Sequence, residues 1–211
     1  MFDLVREHFA NPPPGSKLQA AIDFGVDVSM MDPPRYSDRS GHRADRSFRE
    51  VLDALHENQV ECIIIGGVAL ILHGSTRVTL DIDILYNRSR ENIQRLVDAL
   101  MPFGPKLRLA RNEKPIDSPF DANTIWNGAN FTLWTSDFDI DLLATTEDLP
   151  SYEAVLPDSE VIETNGGRTF RILSLDALLR IKRRLNRLKD QLALPEIEAL
   201  IEIRDLGRGE P

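Results

Sequence analysis

Hydrophobic positions along this chain follow two different spacings, and their alternation predicts a mixed fold of helices and strands. In some segments, apolar residues recur every three to four positions, which is typical of amphipathic helices. In others, they form short β-branched or alternating runs, which are typical of strands. The predicted elements of the first half are, in chain order, a helix at 47–58, a strand at 60–65, a helix at 68–72, a strand at 80–85 and a helix at 89–101.

The second half of the chain predicts more strands, followed by helices at its C-terminal end. A stretch at 113–123 contains proline and aspartate without periodicity, and it predicts an irregular loop. The elements predicted around this loop are strands at 106–110, 131–135 and 138–144, a hairpin at 160–172, and helices at 174–190 and 195–204. Together these elements predict an α+β fold (a two-layer α/β arrangement) in which helices flank a small mixed sheet.

The N-terminal part of the chain differs from the rest, because proline-rich and polar stretches interrupt two short apolar segments that predict helices at 2–10 and 16–24. We therefore predict three parts: a partly flexible extension or linker at 1–45, a core domain at 46–173 and a C-terminal helical segment at 174–211 packed on the core.

Composition narrows the classes of function. The 211 residues are 42% hydrophobic and carry a formal net charge of −9, which argues against an extended surface that coats nucleic acid but not against a local basic groove. The single cysteine, Cys62, lies in a predicted strand and is expected to be a buried structural thiol. No run reaches the ~18 apolar residues of a membrane span, and charged residues near the N-terminus do not resemble a signal peptide. We expect a cytoplasmic protein.

Two carboxylates in the predicted strand at 80–85 are the strongest chemical signal. Residues alternate between the two faces of a strand, so Asp81 and Asp83 share one face and lie roughly 6–7 Å apart along the strand. Aspartate is a poor strand residue, and two like charges on one face repel each other. A divalent cation would relieve this repulsion, because Mg²⁺ binds carboxylate and phosphate oxygens together. The same alternation recurs at Asp139 and Asp141.

A pair of glycines precedes this strand. Gly66 and Gly67 end the first predicted strand and open the short helix at 68–72. Glycine lets a phosphate approach the backbone closely, and the N-terminus of a helix exposes unpaired N–H groups. A glycine turn followed by a carboxylate pair indicates a site for a metal–nucleotide complex.

These residues occur in a familiar order. The set Gly66-Gly67, His73-Gly74, Arg77, Thr79 and Asp81-Ile82-Asp83 resembles the signature of the DNA polymerase beta-like nucleotidyltransferase superfamily, and especially its bacterial minimal and abortive-infection toxin-type branch. This resemblance implies an enzyme that transfers a nucleoside monophosphate from a nucleoside triphosphate to an acceptor hydroxyl. It also implies two Mg²⁺ ions, with Mn²⁺ as the alternative metal.

The resemblance assigns roles to further residues. It implies that Asp81 and Asp83 bind metal together with a third carboxylate, for which Asp141 is the best match and Asp139 the alternative. It implies a lysine near the phosphates, and Lys182 matches that position in a helix that begins at Ser174-Leu175. The residues expected to bind nucleotide or phosphate are Gly66, Gly67, Arg77, Thr79 and Lys182.

Several alternatives remain open at this stage. The acceptor could be RNA such as a tRNA 3′ end, a protein hydroxyl or a small molecule, and the toxin-type resemblance favours RNA or protein. It also suggests a toxin–antitoxin-like system with an antitoxin partner. The rival hypothesis is a non-catalytic module that senses nucleotides or binds a partner on the same fold. The arginines on the outer face of the helix at 174–190 favour a solvated face, and a basic patch for a nucleic-acid substrate is the alternative.

Overall fold

The computed structural model describes residues 48–76, 79–109, 113–135, 138–145, 150–163 and 167–208. The two helices predicted within the N-terminal extension at 1–45 lie outside the described residues. The division into three parts therefore stays a prediction.

The described chain alternates helices and strands over most of its length. Its helices are α1 (Phe48–Glu57), α2 (Gly66–Leu72), α3 (Arg90–Leu100), α4 (Ala122–Asn127), α5 (Tyr152–Val155), α6 (Leu175–Leu185), α7 (Leu188–Gln191) and α8 (Leu194–Arg208). Its strands are β1 (Cys62–Ile65), β2 (Asp81–Tyr86), β3 (Lys106–Arg108), β4 (Phe131–Trp134), β5 (Asp139–Leu143), β6 (Ser159–Glu163) and β7 (Thr169–Leu173). Short 3₁₀ turns follow α3 at Met101–Phe103 and α5 at Leu156–Asp158.

The seven strands form one sheet in the order β3-β4-β5-β2-β1-β7-β6. Two neighbouring pairs, β2 with β5 and β1 with β7, are parallel, and the remaining pairs are antiparallel. This is a mixed sheet with flanking helices, so the predicted fold class is confirmed. The parallel pairing of β2 with β5 matters most for the site, because it brings the two aspartate-bearing strands side by side.

One face of the sheet is apolar and forms the main core. Ile64, Ile82 and Ile84 project from this face and are almost completely buried. Helix α1 packs on it, as the ring of His56 against Phe170 of β7 shows, and α3 lies beside α1. Helix α2 contacts β1, β2 and β7 from the opposite face, the one that carries the aspartates. The isoleucines of β2 therefore face the core, and its aspartates face the side of the sheet on which α2 lies.

Side-chain caps fix where two of the helices begin. The Ser89 hydroxyl accepts a hydrogen bond from the backbone N–H of Asn92, and the Ser174 hydroxyl accepts one from that of Ala177. Serine at this position satisfies an N–H group that has no partner within the helix. Both helices therefore start where the sequence predicts.

The predicted helix at 174–190 was wrong at its C-terminal end. Helix α6 stops at Leu185 because Asn186 takes a left-handed conformation with φ 48°, which asparagine adopts more readily than most residues. The chain then restarts as α7. Leu188, which would continue the apolar spacing of the predicted helix, is 73% exposed. The predicted loop at 113–123 was also incomplete, because the Asp121 carboxylate caps the short helix α4. Within the described residues, no helix combines the length and the apolar character needed to cross a membrane.

Candidate active site

Three carboxylates converge where β2 and β5 lie side by side. The parallel register places Asp83 beside Asp141 and Asp81 beside Asp139. Carboxylate oxygens of Asp81, Asp83 and Asp141 lie within 4.8 Å of one another, and all three side chains are half-buried. Oxygen ligands at such separations suit a hard divalent cation. The donor set and its geometry therefore fit Mg²⁺ or Mn²⁺.

Asp139 projects from the same face of β5 as Asp141, but its carboxylate has a different partner. Its carboxylate forms an ion pair with the guanidinium of Arg108, which reaches it from β3 and is only 4% exposed. The charge of Asp139 is therefore compensated within the protein. Among the two aspartates of β5, the geometry favours Asp141 over Asp139 as the third carboxylate of the cluster.

The glycine pair allows α2 to begin directly against the carboxylates. Gly66 has φ +66°, a left-handed conformation that side chains other than glycine rarely adopt, and a Cβ atom there would overlap the Asp83 carboxylate. A Cβ atom on Gly67 would lie 2.6 Å from the Thr79 hydroxyl oxygen, which is too close for any side chain. Ile65 precedes this helix, and its side chain cannot cap the first N–H groups. The glycines thus bring the start of α2 into contact with the carboxylate strand.

Thr79 fixes one of the three carboxylates. Its hydroxyl donates a hydrogen bond of 2.5 Å to the Asp81 carboxylate. The loop before it is anchored by Glu196 of α8, which accepts hydrogen bonds from the Ser75 hydroxyl at 2.7 Å and the Thr76 backbone N–H at 3.0 Å. The C-terminal helix therefore holds the segment that leads into β2.

Lys182 lies in a charged cluster formed by α6 and α7. Its ammonium group is 3.3 Å from the Asp190 carboxylate, which is fully buried and also accepts a hydrogen bond of 2.6 Å from Arg187. Burial acts to raise the pKa of Asp190, but the hydrogen bonds and charges of Arg187 and Lys182 outweigh it and leave the pKa lowered. The structure thus pairs Lys182 with Asp190. Arg77, the other residue expected to bind phosphate by its charge, lies outside the described residues.

His73 ends helix α2 and makes structural contacts. Its Nε2 atom is 2.8 Å from the Leu173 carbonyl oxygen and 3.5 Å from a carboxylate oxygen of Glu160. Burial lowers the pKa of His73, although the hydrogen bond to Leu173 and the charge of Glu160 oppose this shift. These contacts tie the end of α2 to β6 and β7. Burial also raises the pKa of the Cys62 thiol to about 12, so it is a poor nucleophile.

Two residues that shape the site were not predicted from the sequence. Arg108 neutralises Asp139, and Glu196 anchors the loop before β2. Each is distant in sequence from its partner, and neither belongs to a recognisable motif. The only available signal for Arg108 was its place in the strand predicted at 106–110, and no signal was present for Glu196.

Comparison with known protein families indicates the class of protein to which this chain is similar. Residues 43–117 match the model of a family described as nucleotidyltransferase of unknown function (DUF6036). The match extends over less than half of the chain, from the region of α1 to beyond β3, and includes the glycine pair and Asp81 and Asp83. No curated protein matches the chain.

Two solved structures are distantly similar to the chain. The chain is 18% identical to TM1012 of Thermotoga maritima, provisionally named a nucleotidyltransferase, over 77% of this chain and 91% of that one, with a TM-score of 0.40. It is 17% identical to ANT(2″)-Ia in complex with adenylyl-2″-tobramycin, over 74% of this chain and 87% of that one, with a TM-score of 0.46. At such values the likeness adds nothing to the family match.

The family match relates this chain to the nucleotidyltransferases. It confirms the predicted superfamily relationship and the predicted class of enzyme, a nucleotidyltransferase.

Proposed function

We propose that this protein is a Mg²⁺-dependent nucleotidyltransferase that transfers a nucleoside monophosphate from a nucleoside triphosphate to an acceptor hydroxyl. The observation that carries the proposal is the convergence of Asp81, Asp83 and Asp141 within 4.8 Å, directly beside the glycine pair that opens α2. An arrangement of three like charges is unfavourable alone and is stabilised by cations.

The three carboxylates would hold the metal in this proposal. Asp81 and Asp83 lie on the strand next to the glycines, so they would hold the ion that the triphosphate also contacts, and Asp141 would complete a second position. When bound, two Mg²⁺ ions neutralise phosphate charge and favour the deprotonated form of the acceptor hydroxyl. The Thr79 hydrogen bond would keep Asp81 in the orientation that binding needs.

The neighbouring groups would bind the triphosphate. Backbone N–H groups at Gly66 and Gly67 can approach phosphate oxygens because no side chain stands between them and the site. Arg77 and Lys182 remain proposed phosphate ligands by resemblance. Because Asp190 pairs with Lys182 in this structure, a phosphate contact from Lys182 would compete with that ion pair.

The reaction is a displacement at the α-phosphorus. The acceptor oxygen forms a bond to the α-phosphorus, the bond from the α-phosphorus to the oxygen that it shares with the β-phosphorus breaks, and pyrophosphate leaves with that oxygen. The proton of the acceptor hydroxyl passes to solvent. The protein would contribute position and charge rather than a covalent intermediate.

The acceptor and the biological setting are the finer parts of the proposal. We propose RNA, including a tRNA 3′ end, or a protein as acceptor, within a toxin–antitoxin-like system of a bacterial cell. A small gene for an antitoxin beside this one would support that setting. The rival is a non-catalytic module that senses nucleotides, and the third carboxylate argues against it, because binding alone does not need a second metal position.

The decisive experiment combines Asp83→Asn with an assay for transfer. Protein, Mg²⁺ and each labelled nucleoside triphosphate are incubated with cell extract, and labelled products are separated into RNA, protein and small molecules. We expect Asp83→Asn to abolish transfer while the metal-free protein stays as stable or becomes slightly more stable, since repulsion on the strand face decreases. Melting temperature without metal measures the second effect.

The melting temperature of the unchanged protein gives an independent test. Mg²⁺ with a nucleoside triphosphate should raise it, because a ligand present at 100 times its Kd stabilises the folded state by about 2.7 kcal/mol. Asp83→Asn should lose this rise, whereas Asp98→Asn, an exposed aspartate on α3 with the same change of charge, should keep it. Transfer that persists in Asp83→Asn, together with a clear loss of metal-free stability, would contradict the proposal.

A further inference from the structure

The register of the sheet extends the aspartate face towards the edge strand β3. Residues directly opposite one another on paired strands project from the same face of a sheet. Asp139 lies between Asp81 of β2 and Trp134 of β4. Trp134 in turn lies opposite Lys106 of β3. A tryptophan and a lysine therefore continue the row that begins at the carboxylate cluster.

The neighbouring row of residues across the sheet also continues from the aspartates to β3. Asp141 lies between Asp83 of β2 and Thr132 of β4, and Thr132 lies opposite Arg108 of β3. We call the four residues on this side of the carboxylates the β3–β4 surface; they are Lys106, Arg108, Thr132 and Trp134. Of these, Arg108 is the one that is paired with Asp139.

The β3–β4 surface offers an aromatic plane beside a positive charge. The intervening residues Leu107 and Leu133 are buried in the core, so the four residues of the surface belong to the other face. Trp134 is only half-buried and Lys106 is exposed. The Lys106 ammonium is 5.9 Å from the centre of the Trp134 ring. An aromatic plane next to a cation is the combination by which proteins bind single-stranded nucleic acid, through base stacking and phosphate pairing.

The position of the β3–β4 surface indicates which of the two substrates, the nucleoside triphosphate or the acceptor, it would contact. Asp83 lies between Gly66 of α2 and Asp141 of β5. The glycines, which would hold the donor phosphates, are therefore on one side of the carboxylates, and the β3–β4 surface is on the other. In a displacement at phosphorus the acceptor approaches from the side opposite the leaving group. The β3–β4 surface is thus on the side from which an acceptor would arrive.

We propose that the β3–β4 surface binds the acceptor, and that the acceptor is the 3′ end of a single-stranded nucleic acid. A base near the 3′ end would stack on Trp134, and an adjacent phosphate would pair with Lys106. The terminal 3′-hydroxyl would lie at Asp141, form the new bond to the α-phosphorus, and lose its proton to solvent as pyrophosphate departs. This inference rests on the proposed function, because it names the acceptor of that same site.

Charge favours this acceptor over a polycationic small molecule. Lys106 would repel an acceptor such as an aminoglycoside, whereas it attracts a phosphate. The chain as a whole has a net charge of −9, so attraction to nucleic acid must be local, and binding should weaken steeply as salt is raised.

Tryptophan fluorescence tests binding without requiring activity. The chain has two tryptophans, Trp126 and Trp134, and Trp126 lies on α4 beneath Arg90, with the guanidinium 4.0 Å from the ring centre. In Trp126→Phe the emission comes from Trp134 alone, and a short single-stranded RNA should quench it. In Trp134→Phe, the matched control, the remaining emission should not change. A DNA of the same sequence shows whether the 2′-hydroxyl contributes.

Transfer kinetics test the acceptor role. Trp134→Ala should raise the KM for an RNA acceptor about tenfold, which corresponds to one lost stacking contact, and leave the KM for the nucleoside triphosphate unchanged. Lys106→Glu should weaken RNA binding several-fold and reduce its dependence on salt. The control is Arg49→Glu, which makes the same change of charge at a side chain of α1 that is 65% exposed. Helix α1 packs on the opposite face of the sheet.

Three results would overturn the inference, and they differ in what they say about the proposed function. Quenching of Trp134 by a nucleoside triphosphate alone, equal to that by RNA, would assign the surface to the donor base. Transfer to a protein or a small molecule that Trp134→Ala does not affect would refute the nucleic-acid acceptor and leave the proposed function intact. Quenching by RNA without transfer from any nucleoside triphosphate would refute the proposed function and, with it, the acceptor role.

Discussion

Strands β2 and β5 contain the same tripeptide, Asp-Ile-Asp, and lie parallel and in register, yet their aspartates have different surroundings. In β2, both Asp81 and Asp83 contribute to the carboxylate cluster. In β5, Asp141 contributes but Asp139 pairs with Arg108. The alternating pattern determines the face from which each carboxylate projects. The neighbouring strands then determine whether it joins the carboxylate cluster or pairs with Arg108.

The difference also changes the energetics of the two strands. Two ionised carboxylates 4.8 Å apart repel by roughly 1 kcal/mol in water and roughly 3.5 kcal/mol at an effective dielectric constant of 20. A divalent cation bound to the cluster would offset this repulsion, whereas Asp139 forms an ion pair with Arg108. We infer that the cluster is maintained for binding and the ion pair for structure.

The largest effect should come from exchanging one carboxylate of β5 for an amide. Asp141→Asn should lower the rate of transfer about 10³-fold or more, because it removes charge from the proposed second metal position. The metal-free protein should keep its stability or gain slightly. Initial rates with a labelled nucleoside triphosphate, and denaturant unfolding without metal, measure the two quantities.

Asp139→Asn provides the matched comparison, since it makes the same change two residues away on the same face. It should lower the free energy of unfolding by about 1–2 kcal/mol, because the charge of the buried Arg108 is then less well compensated. Transfer should fall less than tenfold. If the two variants exchanged these behaviours, the third carboxylate would be Asp139.

This comparison shows what could be predicted from the sequence. The alternation in 80–85 and 138–144 correctly predicts two strands that each carry aspartates on one face, since period-two patterning is a local property. The choice between Asp139 and Asp141 is not local. It depends on Arg108, which lies on a strand that joins the sheet two positions away from β5, and only the order of the strands brings them together.

The errors in the predicted helices have a similar origin. The apolar stripe of α6 predicted a helix that continues to about residue 190, and Leu188 fits that spacing. Tertiary contacts override this pattern, because Asp190 is buried against Lys182 and Arg187 and the chain turns at Asn186 to reach that position. Helix α4 was missed because its six residues are too few for a periodic pattern to be recognised.

The approach of α2 to the carboxylates can be tested by adding a single methyl group. Gly66→Ala should cost about 1–2 kcal/mol from its left-handed backbone and should also displace the Asp83 carboxylate, which the new Cβ atom would overlap. We expect transfer to fall about 10²-fold, because a displacement of about 1 Å at a reacting group costs about that much. Unfolding free energy and initial rates are the measurements.

Gly104→Ala separates strain from displacement. Gly104 has φ +60°, close to that of Gly66, but a Cβ atom there would have nothing within 4 Å. Its cost in stability should match the backbone part of the Gly66→Ala cost, and transfer should not change. An equal loss of transfer in both variants would mean that reduced stability, rather than the position of Asp83, explains the effect.

The smallest effect concerns what holds β2 rather than the carboxylates themselves. Glu196 of α8 accepts hydrogen bonds from Ser75 and Thr76, in the loop that leads into β2. Glu196→Ala should lower the free energy of unfolding by about 1–2 kcal/mol and reduce kcat a few-fold, with the KM for the nucleoside triphosphate little changed, because the loop positions Thr79 and through it Asp81. Glu196→Gln retains an oxygen that accepts both hydrogen bonds, so it should restore most of kcat. A loss of stability with kcat unchanged in Glu196→Ala would show that α8 supports the fold but does not position the β2 carboxylates.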